Sequence, residues 1–375
     1  GDAEENYDED DYLKPSQFNA KLQKNLPLIA LIASWAFTVA ILLGVFFWLQ
    51  FTGGDVMEEV RANRPQMTMV VKATKNGASG QKTLKAGEAN VARGPDRAIP
   101  KPKIVSAVLH PHPDRALVEQ TDIGMLPVIG KDGRQPWRVY SRPFNALEKR
   151  PRVAVVLSGL GVSYNATESA MRDLPPEVTF AFAPYAKKVK EWIKTARGAG
   201  HEVLLNVPME PSDYPRSDPG PNGILLKLSD EENLQRLNWM MGRFTGYVGI
   251  ASQQGGRFTG NVKGMRTLLG ELKRRGLMFV DSKTNSNSVT AAVAAKIDAP
   301  YAVNDRMVDI VPSRAAIDFR LSEIELVLRS KGAAVAMGRA YPVTIRRLKR
   351  WIKQLPEKGF VLAPVSALAI KPKRP

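Results

Sequence analysis

The stretch Val153–Leu157, VAVVL, decides the fold class of this chain. It is an unbroken apolar run rich in β-branched residues, and it lacks the 3.6-residue spacing of an amphipathic helix, so it reads as a buried strand. Runs of the same kind recur beyond it, with helical spacing between them. Strands are expected at Val178–Ala183, Glu202–Val207, Tyr247–Ile250, Leu277–Val280, Tyr301–Val303, Ala333–Met337 and Phe360–Ala363. Helices are expected between them, over Ala166–Leu174, Lys187–Gly198, Val262–Arg275, Ser288–Lys296 and Ile317–Lys331. Ser229 and Glu232 form an S-x-x-E capping box that opens a further helix, Gly276 and Gly332 end two others, and Pro342 sits in the first turn of the last. Alternating strands and helices over residues 151–371 predict an α/β fold, a distorted (β/α) barrel. A doubly wound open sheet is the competitor, but Gly159-Leu-Gly161 is too little for a dinucleotide-binding fingerprint.

The rest of the chain divides by charge. The protein has 375 residues, 54 Lys and Arg, 37 Asp and Glu, three His and no Cys, for a net charge of +17. Without Cys there is no disulfide framework, zinc ribbon, iron–sulfur cluster or thiol nucleophile, and three His leave little for imidazole metal chemistry. Residues 1–25 form an acidic tail, with all the charges of its first twelve residues negative. Residues 26–51 hold an uncharged run from Leu28 to Leu49, long enough for ~30 Å of hydrocarbon, and read as a transmembrane helix. Lys14, Lys21 and Lys24 flank it on one side and Arg61, Arg64, Lys72 and Lys75 on the other, so flanking charge alone does not fix its orientation. Residues 52–115 read as a basic, largely disordered stalk that holds His110 and His112. Its charge suits anionic polymers or lipid headgroups; nucleic acid ranks last, because no aromatics interleave the basic residues between Arg61 and Lys103. Residues 116–150 are expected to form an extension packed on the barrel.

In a (β/α) barrel the chemistry sits at the C-terminal strand ends. Those positions carry Ser158, Pro184-Tyr185, Asn206, Met209-Glu210, Ser252-Gln253, Asp281-Ser282, Asn304-Asp305 and Arg339, with the proline-rich loop 208–223 as a rim.

The segments RVAVVLSGLG, GHEVLLNVPMEP, YVGIASQQGG, GLMFVDSKT, GAAVAMGRAYP and GFVLAPVSAL, in that order, resemble the divergent polysaccharide deacetylase family, relatives of the NodB-type carbohydrate esterases. The resemblance implies a distorted β/α barrel that hydrolyses the amide of an acetylated sugar with a divalent metal held by an Asp and two His. Here the family's Asp-Asp pair is Ser158 and Gly159, its first His is Asn206, and its Asn-His-Met-Gly His is Gln253. The late Gly-His-Pro-His-Pro becomes Gly338-Arg339-Ala340-Tyr341-Pro342, while Asp281 and His201-Glu202 remain. Neutral oxygens bind a zinc-class ion far more weakly than imidazole and carboxylate. The expectation is therefore a pseudoenzyme without the family's zinc or other divalent metal, with no assigned catalytic residue.

What remains is a set suited to a sugar: Tyr185, Asn206, Glu210, Gln253, Asp281, Arg339 and Tyr341. Arg339 is a candidate partner for Asp281, which would fill the former metal position with an ion pair. His201 is read as satisfied by backbone. Alternatives are an active hydrolase of amide bonds with rearranged residues, a metal-free acid and base drawn from Glu210, Asp281 and Asp305, and a protein-interaction scaffold. The family works in the bacterial envelope, which implies a single-pass inner-membrane protein with a periplasmic barrel. Its expected partners are peptidoglycan or another envelope glycan, the inner membrane and envelope proteins.

Overall fold

A computed structural model describes residues 34–35, 38–40 and 108–370. The expected acidic tail, all of the membrane span but those five residues, the stalk as far as residue 107 and the last five residues lie outside the described residues. Among the described residues no helix is long and apolar enough to cross a membrane.

The strand at VAVVL is longer than its apolar core: β3 runs Arg152–Leu160. Ahead of it come a hairpin, β1 (Val118–Thr121) and β2 (Gly124–Pro127), and a short helix α1 (Pro136–Val139). After it strands and helices alternate: α2 (Tyr164–Asp173), β4 (Thr179–Phe182), α3 (Val189–Gly198), β5 (Val203–Met209), α4 (Asp230–Met241), β6 (Gly249–Gln254), α5 (Val262–Arg274) and β7 (Met278–Asp281). The order continues with α6 (Thr290–Ile297), β8 (Tyr301–Val303), β9 (Arg306–Met307), α7 (Arg314–Lys331), β10 (Ala333–Arg339), α8 (Pro342–Gln354) and β11 (Val361–Ala363). The capping box at Ser229 and Glu232 is formed, Gly332 ends α7 in the left-handed region, and Pro342 opens α8.

The sheet is parallel throughout, in the order β8-β7-β6-β5-β4-β3-β10-β9, with β11 against the start of β3. It is a curled sheet rather than a closed barrel: among the described residues no ladder joins its end strands, β8 and β9. Those two are consecutive in the chain, separated by Asn304-Asp305. Three Cα steps bring Val303 within ~11 Å of Arg306, so the sheet must curl to meet itself there. The outer side of β8 is taken by the C-terminal segment, with Tyr301 and Ile370 exchanging backbone hydrogen bonds of 3.2 and 2.8 Å.

Two cores follow from the period of two. Val153, Val155 and Leu157 of β3 pack under the helices. Ala154 and Val156 face the concave side, with Ala181, Leu204 and Met337 of neighbouring strands. That inner core is stoppered by Leu117, Trp137 and Tyr140 of the extension and by Val365 after β11. Gly249 lets β6 approach β7: a Cβ there would lie 2.0 Å from the Met278 carbonyl oxygen.

Polar contacts fix the extension. The Arg142 guanidinium donates to the Gly200 carbonyl (2.9 Å) and pairs with Glu177 (2.8 Å). Its backbone N–H donates to Glu202, a fully buried carboxylate that also accepts from the Ser366 and Thr179 hydroxyls. Burial pushes the Glu202 carboxyl above its ordinary value. The packing begins earlier than the sequence suggests. Arg197 donates to the His110 carbonyl (2.7 Å), and His112 Nδ1 lies 3.2 Å from Thr245 Oγ1, so the two histidines read as stalk residues are packed on the folded unit.

Candidate functional site

The C-terminal ends of β3, β6, β7, β8 and β10 open into a cleft of about 1010 Å³. Among the sequence candidates, Ser158, Gly159, Gln253, Arg339 and Tyr341 line it. The register explains the grouping: Ser158 of β3 is the ladder partner of Arg339 of β10, and Ser158 Oγ donates to the Gly338 carbonyl (3.2 Å). Gly159, at φ +78°, sits within β3 where its register with β4 shifts between Leu157 and Leu160. The Arg339 guanidinium stacks over the Tyr341 ring at 5.0 Å.

Tyr185, Asn206, Glu210 and Asp281 are not in the cleft wall. Tyr185 packs beside Trp239 (5.4 Å between ring centroids), and its hydroxyl accepts from Asn222 of the rim loop (3.2 Å). Asn206 is wholly buried below the wall; Nδ2 donates to Gln253 Oε1 (3.4 Å) and Oδ1 has no partner among the described residues. The Glu210 carboxylate accepts from the Leu226 N–H (2.6 Å) and lies 3.3 Å from Arg257, which ties the rim loop down.

Asp281, 1 % exposed, accepts from the Lys283 N–H (2.7 Å) and the Ser288 hydroxyl (2.5 Å) and so organises the turn after β7. The expected Asp281–Arg339 pair does not form. Arg339 turns to Asp309, a fully buried residue that sequence reasoning overlooks: its Oδ1 lies 3.5 Å from the Arg339 Nε and its carbonyl accepts from the guanidinium at 2.6 Å. Asp309 Oδ2 also accepts from the Arg339 N–H (2.6 Å) and the Thr344 hydroxyl (2.8 Å), which pins the start of α8. No sequence signal marks this role, because Asp309 follows a two-residue strand that no pattern predicts.

The metal-free alternative fares no better in geometry. Glu210 and Asp281 are engaged as described, and Asp305 accepts from the Val335 N–H (2.9 Å) and pairs with Lys331 (3.3 Å). Among the described residues no cluster of three His, Cys, Asp or Glu is placed to hold a metal. The donors at the family's metal positions are a serine hydroxyl bonded to a carbonyl, two amides bonded to each other and a carboxylate filled by a backbone N–H and a hydroxyl, and these do not fit a tetrahedral zinc-class ion. His201, 1 % exposed, stacks on Phe180 (3.8 Å between centroids) with Nδ1 2.9 Å from the Val178 carbonyl, and burial pushes its pKa down to about 4.

The strand-end positions Ser252, Ser282, Asn304 and Asp305 also line the cleft, and Gln254, Lys283, Arg306 and Arg320 are wall residues not singled out from sequence. Gln254 and Lys283 are held in the left-handed region, at φ 57° and 47°. Ser252 and Ser282 lie between them with hydroxyls 2.9 Å apart, and Ser282 donates onward to the Gln254 carbonyl (3.3 Å). The wall is thus built of hydroxyls, amides and guanidinium groups, with Tyr341, Val162 and Ile310 exposed around it.

Comparisons with known proteins place this architecture. An uncharacterized protein of Agrobacterium tumefaciens, solved by crystallography, superposes with a TM-score of 0.63 at 35% identity, covering 65% of this chain and 99% of that one. The uncharacterized protein YibQ of Escherichia coli is 28% identical over 225 residues, 59% of this chain and 68% of its own. An uncharacterized protein of Haemophilus influenzae is 25% identical over 207 residues, 55% of this chain and 72% of its own. The sequence pattern of the divergent polysaccharide deacetylases matches residues 155–369, from within β3 to the turn after β11, and the chain belongs to that family.

Proposed function

We propose that this protein is a membrane-anchored, glycan-binding member of the family that has given up the metal and the hydrolysis. The observation that carries the reading is the make-up of the cleft. Its position at the strand ends is the family's catalytic position, but Ser158, Asn206 and Gln253 supply neutral hydrogen-bonding groups already engaged with one another or with backbone. Concavity with a few converging polar groups and apolar faces is what a saccharide needs. The uncharged run Leu28–Leu49 supports an inner-membrane anchor, and the basic segment that follows supports a tether toward an anionic envelope polymer such as peptidoglycan.

The test uses the full chain purified in detergent, with metal content measured alongside acetate release and binding on N-acetylchito-oligosaccharides. Binding without stoichiometric metal or acetate release is the expected result. Turnover with one bound metal per chain would overturn the pseudoenzyme reading, and absence of binding would overturn the glycan reading.

A further inference from the structure

The cleft carries an uncompensated positive charge. Arg306 and Arg320 both lean on one carboxylate, Glu323, at 3.5 and 2.7 Å, so one positive charge of the pair is left over. The nearby guanidinium of Arg320 holds the Glu323 carboxyl below its ordinary value, so that single negative charge is already fully present. Lys283 adds a second positive charge. It is exposed, its ammonium makes no hydrogen bond or ion pair among the described residues, and the Asp281 carboxylate fixes its backbone in the left-handed conformation that presents it. Asp305, the one carboxylate in the described wall, is already bound to Lys331 and the Val335 N–H. Arg339 is balanced by Asp309.

Below these charges lies an unmet acceptor. Asn304 lines the cleft at 3 % exposure. Its Nδ2 donates to the Ser282 carbonyl (2.9 Å), which fixes the amide orientation, and its Oδ1 is left buried without a partner among the described residues. A buried unpaired acceptor costs about 1–3 kcal/mol, which a hydroxyl or amide N–H of a ligand would recover. A ligand that suits the whole cleft therefore offers donors for the floor, C–H faces for Tyr341 and Ile310, and negative charge for Lys283 and the Arg306–Arg320 pair.

We infer that the cleft selects saccharides that bear carboxylates, with Lys283 and the Arg306–Arg320 pair setting the preference for charge. Guanidinium forks match the two oxygens of a carboxylate, and fixed positive charge gives selectivity beyond shape. The inference rests on the glycan-binding reading and narrows it to one chemical class.

The experiment compares the full chain binding N-acetylchitohexaose with its C6-carboxylated counterpart, which differs only in the carboxylates, at low and high salt. The carboxylated sugar is expected to bind roughly five- to tenfold more tightly at low ionic strength, with the ratio collapsing toward one as salt screens the contact. Lys283→Glu should bring the low-salt ratio close to one, whereas Lys296→Glu, an equal charge change on an exposed residue outside the cleft, should leave it intact. Equal affinity for the two sugars would overturn charge selectivity and leave the glycan reading standing. Binding of neither would overturn the glycan reading and the inference with it. A preference that survives Lys283→Glu would overturn the assignment to this cleft.

Discussion

Acidification from pH 7 to pH 5 is expected to remove about 2 kcal/mol of folding stability through His201 alone. The imidazole is 1 % exposed and stacked on Phe180 of β4, its Nδ1 faces the Val178 carbonyl, and burial, reinforced by Arg142, lowers its pKa from 6.5 to about 4. Because the folded value lies below the unfolded one, the unfolded chain takes the proton first. The contribution of the neutral ring is complete above pH 6.5 and is lost progressively as the pH falls toward 4. At pH 5 an unfolded histidine is roughly 97% protonated and the folded one roughly 10%, which corresponds to about 2 kcal/mol.

His112, also lowered to about 4 by burial and by Arg197, pushes in the same direction, and Glu202, raised by burial, pushes in the opposite one. The comparison must therefore be a double difference. Urea unfolding at pH 7 and pH 5, read by tryptophan fluorescence, gives the pH-dependent loss for the native chain and for His201→Gln. The amide can still donate to the Val178 carbonyl, and the variant should lose about 2 kcal/mol less than the native chain over that interval. Proton resonances of the ring provide an independent reading, with a midpoint near 4 expected. An identical pH-dependent loss in His201→Gln, or a ring that titrates near 6.5, would refute the argument.

Two further outcomes follow from the packing. Gly249→Ala places a Cβ 2.0 Å from the Met278 carbonyl oxygen, and because that atom is backbone in the adjoining strand the two must separate; a loss of about 2–3 kcal/mol is expected in denaturant unfolding, and an unchanged midpoint would contradict the close approach of β6 and β7. Asp309→Ala removes the acceptor shared by Arg339 and Thr344, with an expected loss of about 2–4 kcal/mol and faster amide exchange at the start of α8; protection unchanged at Ile345 and its neighbours would show that α8 is held by other contacts.

The alternation of strand and helix was open to reading because its causes are local. A buried parallel strand needs an unbroken apolar run such as VAVVL, a helix start needs a cap such as Ser229 with Glu232, and a helix end needs a residue that tolerates positive φ such as Gly332. The two-residue β9 has no such signature, and neither does the packing of residues 108–115, where His110 and His112 look like tether and prove to be packed on the folded unit. The site divides in the same way. Ser158 and Arg339 could be named from strand ends, since position along a strand is a sequence property. Their partners could not: Arg339 pairs with Asp309, while Asp281 is engaged by the turn after β7.

By itself, then, the sequence determined which elements form, which ends of them carry polar residues, and that the family's histidines are replaced. These are consequences of residue type and spacing along one dimension. Only the tertiary structure decided that the sheet curls with no ladder between its end strands among the described residues, that Tyr185 and Glu210 serve the rim loop, and that Lys283, Asn304, Arg306 and Arg320 share one cleft. Charge balance and hydrogen-bond satisfaction are settled between groups far apart in the chain. A carboxylate such as Glu323 or Asp309 is free or spent according to the neighbours that folding brings to it.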